Sequence, residues 1–171
     1  MGLGEPLSPR DALLESLRLA VRNGARPREA GFRYGLDALA AWEQALAGYD
    51  TYNEGDRNLL FLTNWWCLLH LVDARRAAAE FLGANLDLLG AEATPSLTRA
   101  FTLYQQEAGL LQQFAQQHTR FIRWWGGGAN VAQWDAPTRQ AQQDLLTRSR
   151  DLESEALKAL TEARARAGAK D

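Results

Sequence analysis

Residues 59–72 read LLFLTNWWCLLHLV, a run in which only Thr63, Asn64 and His70 are clearly polar and no residue is charged. As a helix, its fourteen positions span roughly 21 Å, short of the ~30 Å hydrocarbon core of a bilayer. The run therefore predicts a buried helix and no membrane span. On a helical wheel Phe61, Leu62, Trp65, Leu69 and Val72 share one broad face, while Leu60, Cys67 and Leu71 lie roughly opposite. A helix coated on several sides is either central to its fold or completed by a partner subunit.

Working outward, the same periodicity continues on both sides. The long helix is predicted over about 57–89, becoming ordinarily amphipathic after residue 73. Before it, Ser8-Pro9 followed by Asp11 is a helix start, because the hydroxyl caps, the proline suits the first turn and the acid complements the dipole. Leu13, Leu14, Leu17 and Val21 follow at helical spacing until Asn23-Gly24. A second helix is predicted over about 31–47, with Leu36, Leu39, Trp42 and Leu46 on one face. Thr94-Pro95 opens a fourth helix reaching about residue 125, and the glycines of 126–128 must break it. Asp135-Ala136-Pro137 opens the last helix, with Leu145, Leu152, Ala156, Leu160 and Ala163 as its stripe. No alternating segment competes. The expected fold is all-α, a mostly antiparallel bundle of about five helices forming one domain over 1–171.

Composition narrows the function classes. The chain has 171 residues, of which 46% are apolar and 23% charged, which suits one globular domain with a real core. A formal charge of -2 argues against nucleic-acid binding, which needs a surplus of Lys and Arg. A lone cysteine excludes an intrachain disulfide and any multi-cysteine zinc site. The N-terminal stretch lacks the basic start and apolar core of a signal peptide, so a cytoplasmic location is expected.

The residues able to carry chemistry are few. Cys67 and His70 are three apart on one helix, but Cys67 is mid-helix among Leu and Trp, where cysteines are usually inert hydrophobes. Neither histidine completes a Glu-x-x-His or HExxH pattern. An antiparallel hairpin turning near residues 90–95 would set Cys67 level with His118, so a metal site of Cys67, His70 and His118 is the alternative reading. No cofactor motif is present, and GGGAN at 126–130 lacks the lysine and spacing of a phosphate loop.

The same register gathers all six tryptophans at one end of the bundle. Large rings fill cores, and Trp42, Trp65 and Trp125 suit that role. Adjacent residues differ by 100° on a helix, so one member each of Trp65/Trp66 and Trp124/Trp125 must point elsewhere. Exposed aromatics concentrate at binding surfaces. The ligand-binding residues expected at this end are Trp42, Trp66, Trp124, Trp134 and Arg123. Arg75 and Arg76 are expected to pair with Glu80 on their own helix.

Three stretches, LSPRDALLESLRLAV at 7–21, GLDALAAWEQAL at 35–46 and ARRAAAEFL at 74–82, carry a resemblance. Together they resemble the helical region that accompanies a cysteine-peptidase-like N-terminal domain, of the butirosin-biosynthesis acyltransferase type, in bacterial proteins. Leu71 and Asp73 stand where that pattern has Trp and Glu. The resemblance implies a helical fold, and a separately encoded peptidase-like chain becomes one candidate partner, since no such domain precedes these helices. The reading that results is a non-catalytic helical binding or interaction module with an aromatic-rich functional end. The partners compatible with it are a second copy in a homodimer, a peptidase-like chain, and a small apolar or aromatic ligand.

Overall fold

The computed structural model describes residues 6–26, 30–118 and 134–168. Among them are five helices: α1 (Pro9–Gly24), α2 (Gly35–Ala47), α3 (Glu54–Gly83), α4 (Thr94–Gln117) and α5 (Ala136–Arg166). The all-α fold is as expected. Three starts are capped as short polar side chains allow: Ser8, Asn53 and Asp135 each accept the backbone N–H three residues on. Asn53 places the start of α3 three residues before the expected position. At the other end α3 stops at Gly83 instead of near 89, and residues 84–93 form turns leading into α4. α4 ends at Gln117 with His118 as C-cap, and its expected continuation to 125 lies outside the described residues.

Cross-helix contacts fix the directions. Arg75 of α3 meets Glu107 of α4, and Arg99 and Ser96 of α4 meet Glu155 and Glu162 of α5. On the other side of α5, Arg10 donates to the Ala167 carbonyl, Glu43 meets Thr147 and Arg150, and Asp50 meets Arg139. In every pair rising numbers on one helix meet falling numbers on the other. α1 and α2 thus run in line along α5, opposite in sense, as two halves of one interrupted helix. With α3, α4 and α5 they make an up-down-up-down four-helix bundle.

The interruption depends on two glycines. A Cβ on Gly24 would stand 2.4 Å from Leu157 Cδ1, and one on Gly35 would stand 2.2 Å from the Gly24 carbonyl oxygen. Gly35 also has φ +49°, a region that side chains rarely adopt. The backbone therefore re-enters α2 in contact with the end of α1, which the missing side chain of Gly35 permits, while that of Gly24 makes room for Leu157 of α5.

The core has two apolar halves. One, at the α1 end, packs Leu13, Leu17, Leu82, Leu97 and Leu160 against Ala100, Ala156, Ala159 and Ala163. The other, at the α2 end, is larger-grained: Leu39, Leu46, Tyr49, Phe61, Trp65, Leu111, Phe114, Trp134 and Leu146. Replacing Gly35 by Ala should lower stability to urea by about 1–3 kcal/mol through backbone strain and overlap. Gly109→Ala, on an exposed turn of α4 with open space at its Cβ, should raise it by about 0.5–1 kcal/mol. Equal effects of the two would contradict the close approach.

Candidate functional site

α3 presents different chemistry on its two sides. The inward side is Phe61, Asn64, Trp65 and Leu68, all buried. Of the broad face of Phe61, Leu62, Trp65, Leu69 and Val72, Leu62 is exposed, and Asn64 is buried beside Phe61 and Trp65. Asn64 is tolerated in the core because its amide makes three hydrogen bonds: Oδ1 accepts from Trp42 Nε1 at 2.7 Å and from Gln142 Nε2 at 2.7 Å, and Nδ2 donates to Gln142 Oε1 at 3.1 Å. A buried amide with its partners in place is tolerated in a core, and here it rotates the helix so that Leu62 turns outward.

Around it the large rings interlock. Trp65 stacks on Phe114 at 6.5 Å, Phe61 meets Trp134 at 5.5 Å, and Trp134 meets Tyr49 edge-on at 5.2 Å. Trp42, Trp65 and Trp134 do gather at the α2 end, as the register implies, while Phe101 and Tyr104 pack at the α1 end. Yet Trp134 is 1% exposed and Trp42 is half-buried with its N–H donated to Asn64, so both stand as packing residues here. Trp124 and Arg123 lie outside the described residues. Beside this end an open groove of about 630 Å³ is lined by Tyr49, Asp50, Tyr52, Arg57, Trp134 and Arg139. Its two cations are already engaged. Arg57 donates to the carbonyls of Tyr49 and Asp50, and Arg139 to the Trp134 carbonyl and the Asp50 carboxylate. Arg57 holds the turn at 49–51 against the start of α3, and Arg139 holds it against the start of α5.

Between the two apolar halves lies a charged layer. Arg75 Nε stands 3.1 Å from Glu107 Oε2 and 3.0 Å from Glu153 Oε2, ion-pair distances without an aligned hydrogen bond to either. Glu107 accepts a 2.5 Å hydrogen bond from Ser149, and the Arg75 guanidinium lies 5.7 Å from the centre of the Tyr104 ring. The expected pairing of Arg75 with Glu80 is thus overturned. Arg76, exposed, makes that contact, while Arg75 crosses to α4 and α5. The signal for this layer was a charge on an apolar stripe: Glu107 between Tyr104 and Leu111, and Glu153 between Leu146 and Ala156.

One cation serves two carboxylates, and this sets their protonation. Burial pushes the Glu153 carboxyl up to about 7; Arg75 opposes that and Glu107 reinforces it. Burial also raises Tyr104. For Arg75, burial would lower the pKa, but Glu153 and Glu107 outweigh it and hold the guanidinium charged.

The outward side of α3 carries Leu59, Leu62, Trp66 and His70, at steps of three and four and hence on one stripe. Leu59 is 64% exposed, Leu62 42% and Trp66 53%, against 5% for Trp65. The His70 ring sits edge-on to Trp66 with centroids 4.7 Å apart. Cys67 is exposed as well, a correction to its expected burial: two positions from Trp65 is 200° around the helix, away from the core. The apolar groups that partly cover it push its thiol pKa up, the opposite of what a nucleophile needs. His118 packs its ring on Phe114 at 4.4 Å. Cys67, His70 and His118 are not brought together as ligands: among the described residues no three His, Cys, Asp or Glu side chains are grouped to hold a metal ion. No described helix is long and apolar enough to cross a membrane.

No family model, curated protein or solved structure matches the chain.

The charged layer makes a pH prediction with a definite sign. Glu153 binds its proton more tightly when folded than at the ordinary 4.5, so its contribution is fully present below about pH 4.5 and is lost as pH rises through about 7. Unfolding free energy measured in urea should fall between pH 5 and 8, by on the order of 3 kcal/mol from this group. Glu153→Gln should flatten that slope; an unchanged slope would remove Glu153 as its source.

Proposed function

We propose that the chain is a non-catalytic helical module that binds another protein surface through the outer face of α3. The observation that carries this reading is the exposure of Leu59, Leu62 and Trp66 on one stripe within a run, 58–72, that holds no charged residue. An outer helix normally covers its solvent side with Lys, Arg and Glu, as α5 does beyond residue 147. Contiguous apolar surface rimmed by polar residues marks a recognition site. The site differs from the aromatic end as such, because Trp42 and Trp134 are committed to packing and Trp66 faces away from them.

Catalysis finds little support in the same geometry. The thiol of Cys67 is held protonated, and the carboxylates Glu107 and Glu153 are enclosed in the core with their own arginine. The resemblance carried by the stretches at 7–21, 35–46 and 74–82 adds a peptidase-like chain to the candidate partners.

Two variants test the reading. A triple variant, Leu59→Ser with Leu62→Ser and Trp66→Ser, should keep its helical circular dichroism and stay within about 1 kcal/mol of the parent in stability, since surface changes are mild. It should also lose binding of the apolar dye bis-ANS. Trp65→Ala should cost about 3–5 kcal/mol by emptying the core beside Phe114. Unfolding of the triple variant would make the stripe structural and end the proposal.

A further inference from the structure

We infer that residues 76–93, the far end of the α3–α4 hairpin, open independently of the rest of the bundle, and that the layer of Arg75, Glu107 and Glu153 gates this opening: a proton held in the layer keeps the segment shut.

The two halves of α3 are held differently. α3 lies close along α4 and reaches α5 through side chains. In its first half the polar reach is made by neutral groups, Asn64 to Gln142, with Phe61 and Trp65 packed among large rings. In its second half it is made by Arg75 to Glu153. Beyond Arg75, among the described residues, no ion pair or side-chain hydrogen bond joins residues 76–93 to α1, α2 or α5. Arg76 turns back to Asp73 and Glu80, and Asn85 to the Phe81 carbonyl. What remains is apolar packing through Ala79, Leu82 and Leu89. A segment held by so few groups opens at a lower free energy than the whole fold.

The layer can act as a gate because its charges do not balance. Arg75 Nε stands at nearly equal distances from the two glutamates, whose side chains are 0% and 6% exposed, so one cation faces two enclosed carboxyl groups. Carboxylates sharing a site do not both ionise readily, and one keeps its proton. The ionisable groups acting on Glu153 are Arg75 of α3 and Glu107 and Tyr104 of α4. On the α1–α2 side Glu15 is paired with Arg18, Asp37 with Arg33, and Glu43 with Arg150 of α5, so no cation there takes the place of the proton. Lifting 76–93 breaks the Arg75 link and lets water reach Glu153. Closed, Glu153 holds its proton up to about pH 7; open, it releases it at the ordinary 4.5. Opening therefore becomes easier as pH rises from about 4.5 to 7 and gains nothing further above that.

Native-state hydrogen exchange of the whole chain, from about pH 5 to 8, with and without urea and corrected for the intrinsic exchange rate, tests this. Amides of 76–83 should exchange faster than those of 61–68 and with weaker urea dependence, because their opening is smaller than global unfolding. Their protection should fall about tenfold per pH unit between about pH 5 and 7 and then level off. Glu153→Gln, which has no proton to release, and Glu107→Gln, which leaves one carboxylate for one cation, should each abolish that fall. Equal urea dependence of the two segments at every pH would overturn independent opening. A pH slope that persists in either variant would overturn the layer as its gate. Should both variants fail to fold, the wild type decides alone: protection of 76–83 that stays level from about pH 5 to 7 ends the proposal.

Discussion

Consecutive residues of an α-helix point 100° apart, and a bundle covers a given helix on little more than one side. A run of fourteen residues that is apolar nearly all round is therefore not wholly buried among the described residues. In α3 the two neighbouring tryptophans divide on this constraint. Trp65 enters the core against Phe61 and Phe114, and Trp66 is left half in solvent with Leu59 and Leu62. The hydrogen bonds of Asn64 decide which side goes in. They tie α3 to Trp42 of α2 and Gln142 of α5, and so fix the rotation of the helix about its axis. The exposed stripe follows from that rotation.

The charged layer in the middle of the bundle belongs to the same logic. Arg75 reaches inward one turn beyond the apolar run, where α3 meets α4 and α5. Buried ion pairs add little net stability but penalise any arrangement that separates them. Sliding α3 along α4 by a turn would part Arg75 from Glu107 and leave two carboxylates enclosed without a cation. The layer therefore holds register between two apolar halves, one built on alanine and leucine and the other on large rings, that could otherwise slip.

Much of this was legible in the sequence and some of it was not, for separable reasons. The number and order of helices, the antiparallel register that brings residues 42, 65 and 134 to one end, and the division of the WW pair all follow from periodicity and short connections. The start of α3 moved because Asn53, a good cap, stood inside what read as a loop. Leu62 shares a broad apolar face with Phe61 and Trp65 on the helical wheel, yet the buried amide of Asn64, with its two partners, takes the inward place. Arg75 was assigned to Glu80 since same-helix pairs can be read from spacing, while Glu107 and Glu153 are distant in sequence. Polar residues inside a core need tertiary partners, and a single chain of letters does not display them. The exposure of Cys67 was a question of angle, answerable only once Trp65 was placed.

The central claim is that the face bearing Trp66 is the surface that meets a second molecule while the face bearing Trp65 is packing. It is tested most directly by the ¹⁹F spectrum of the protein grown with 5-fluorotryptophan, each signal assigned by substitution and followed as bis-ANS is added. The Trp66 resonance should move with added dye, while those of Trp65 and Trp134 stay fixed. A Trp66 signal that never moves, or a Trp65 signal that moves with it, would contradict the account.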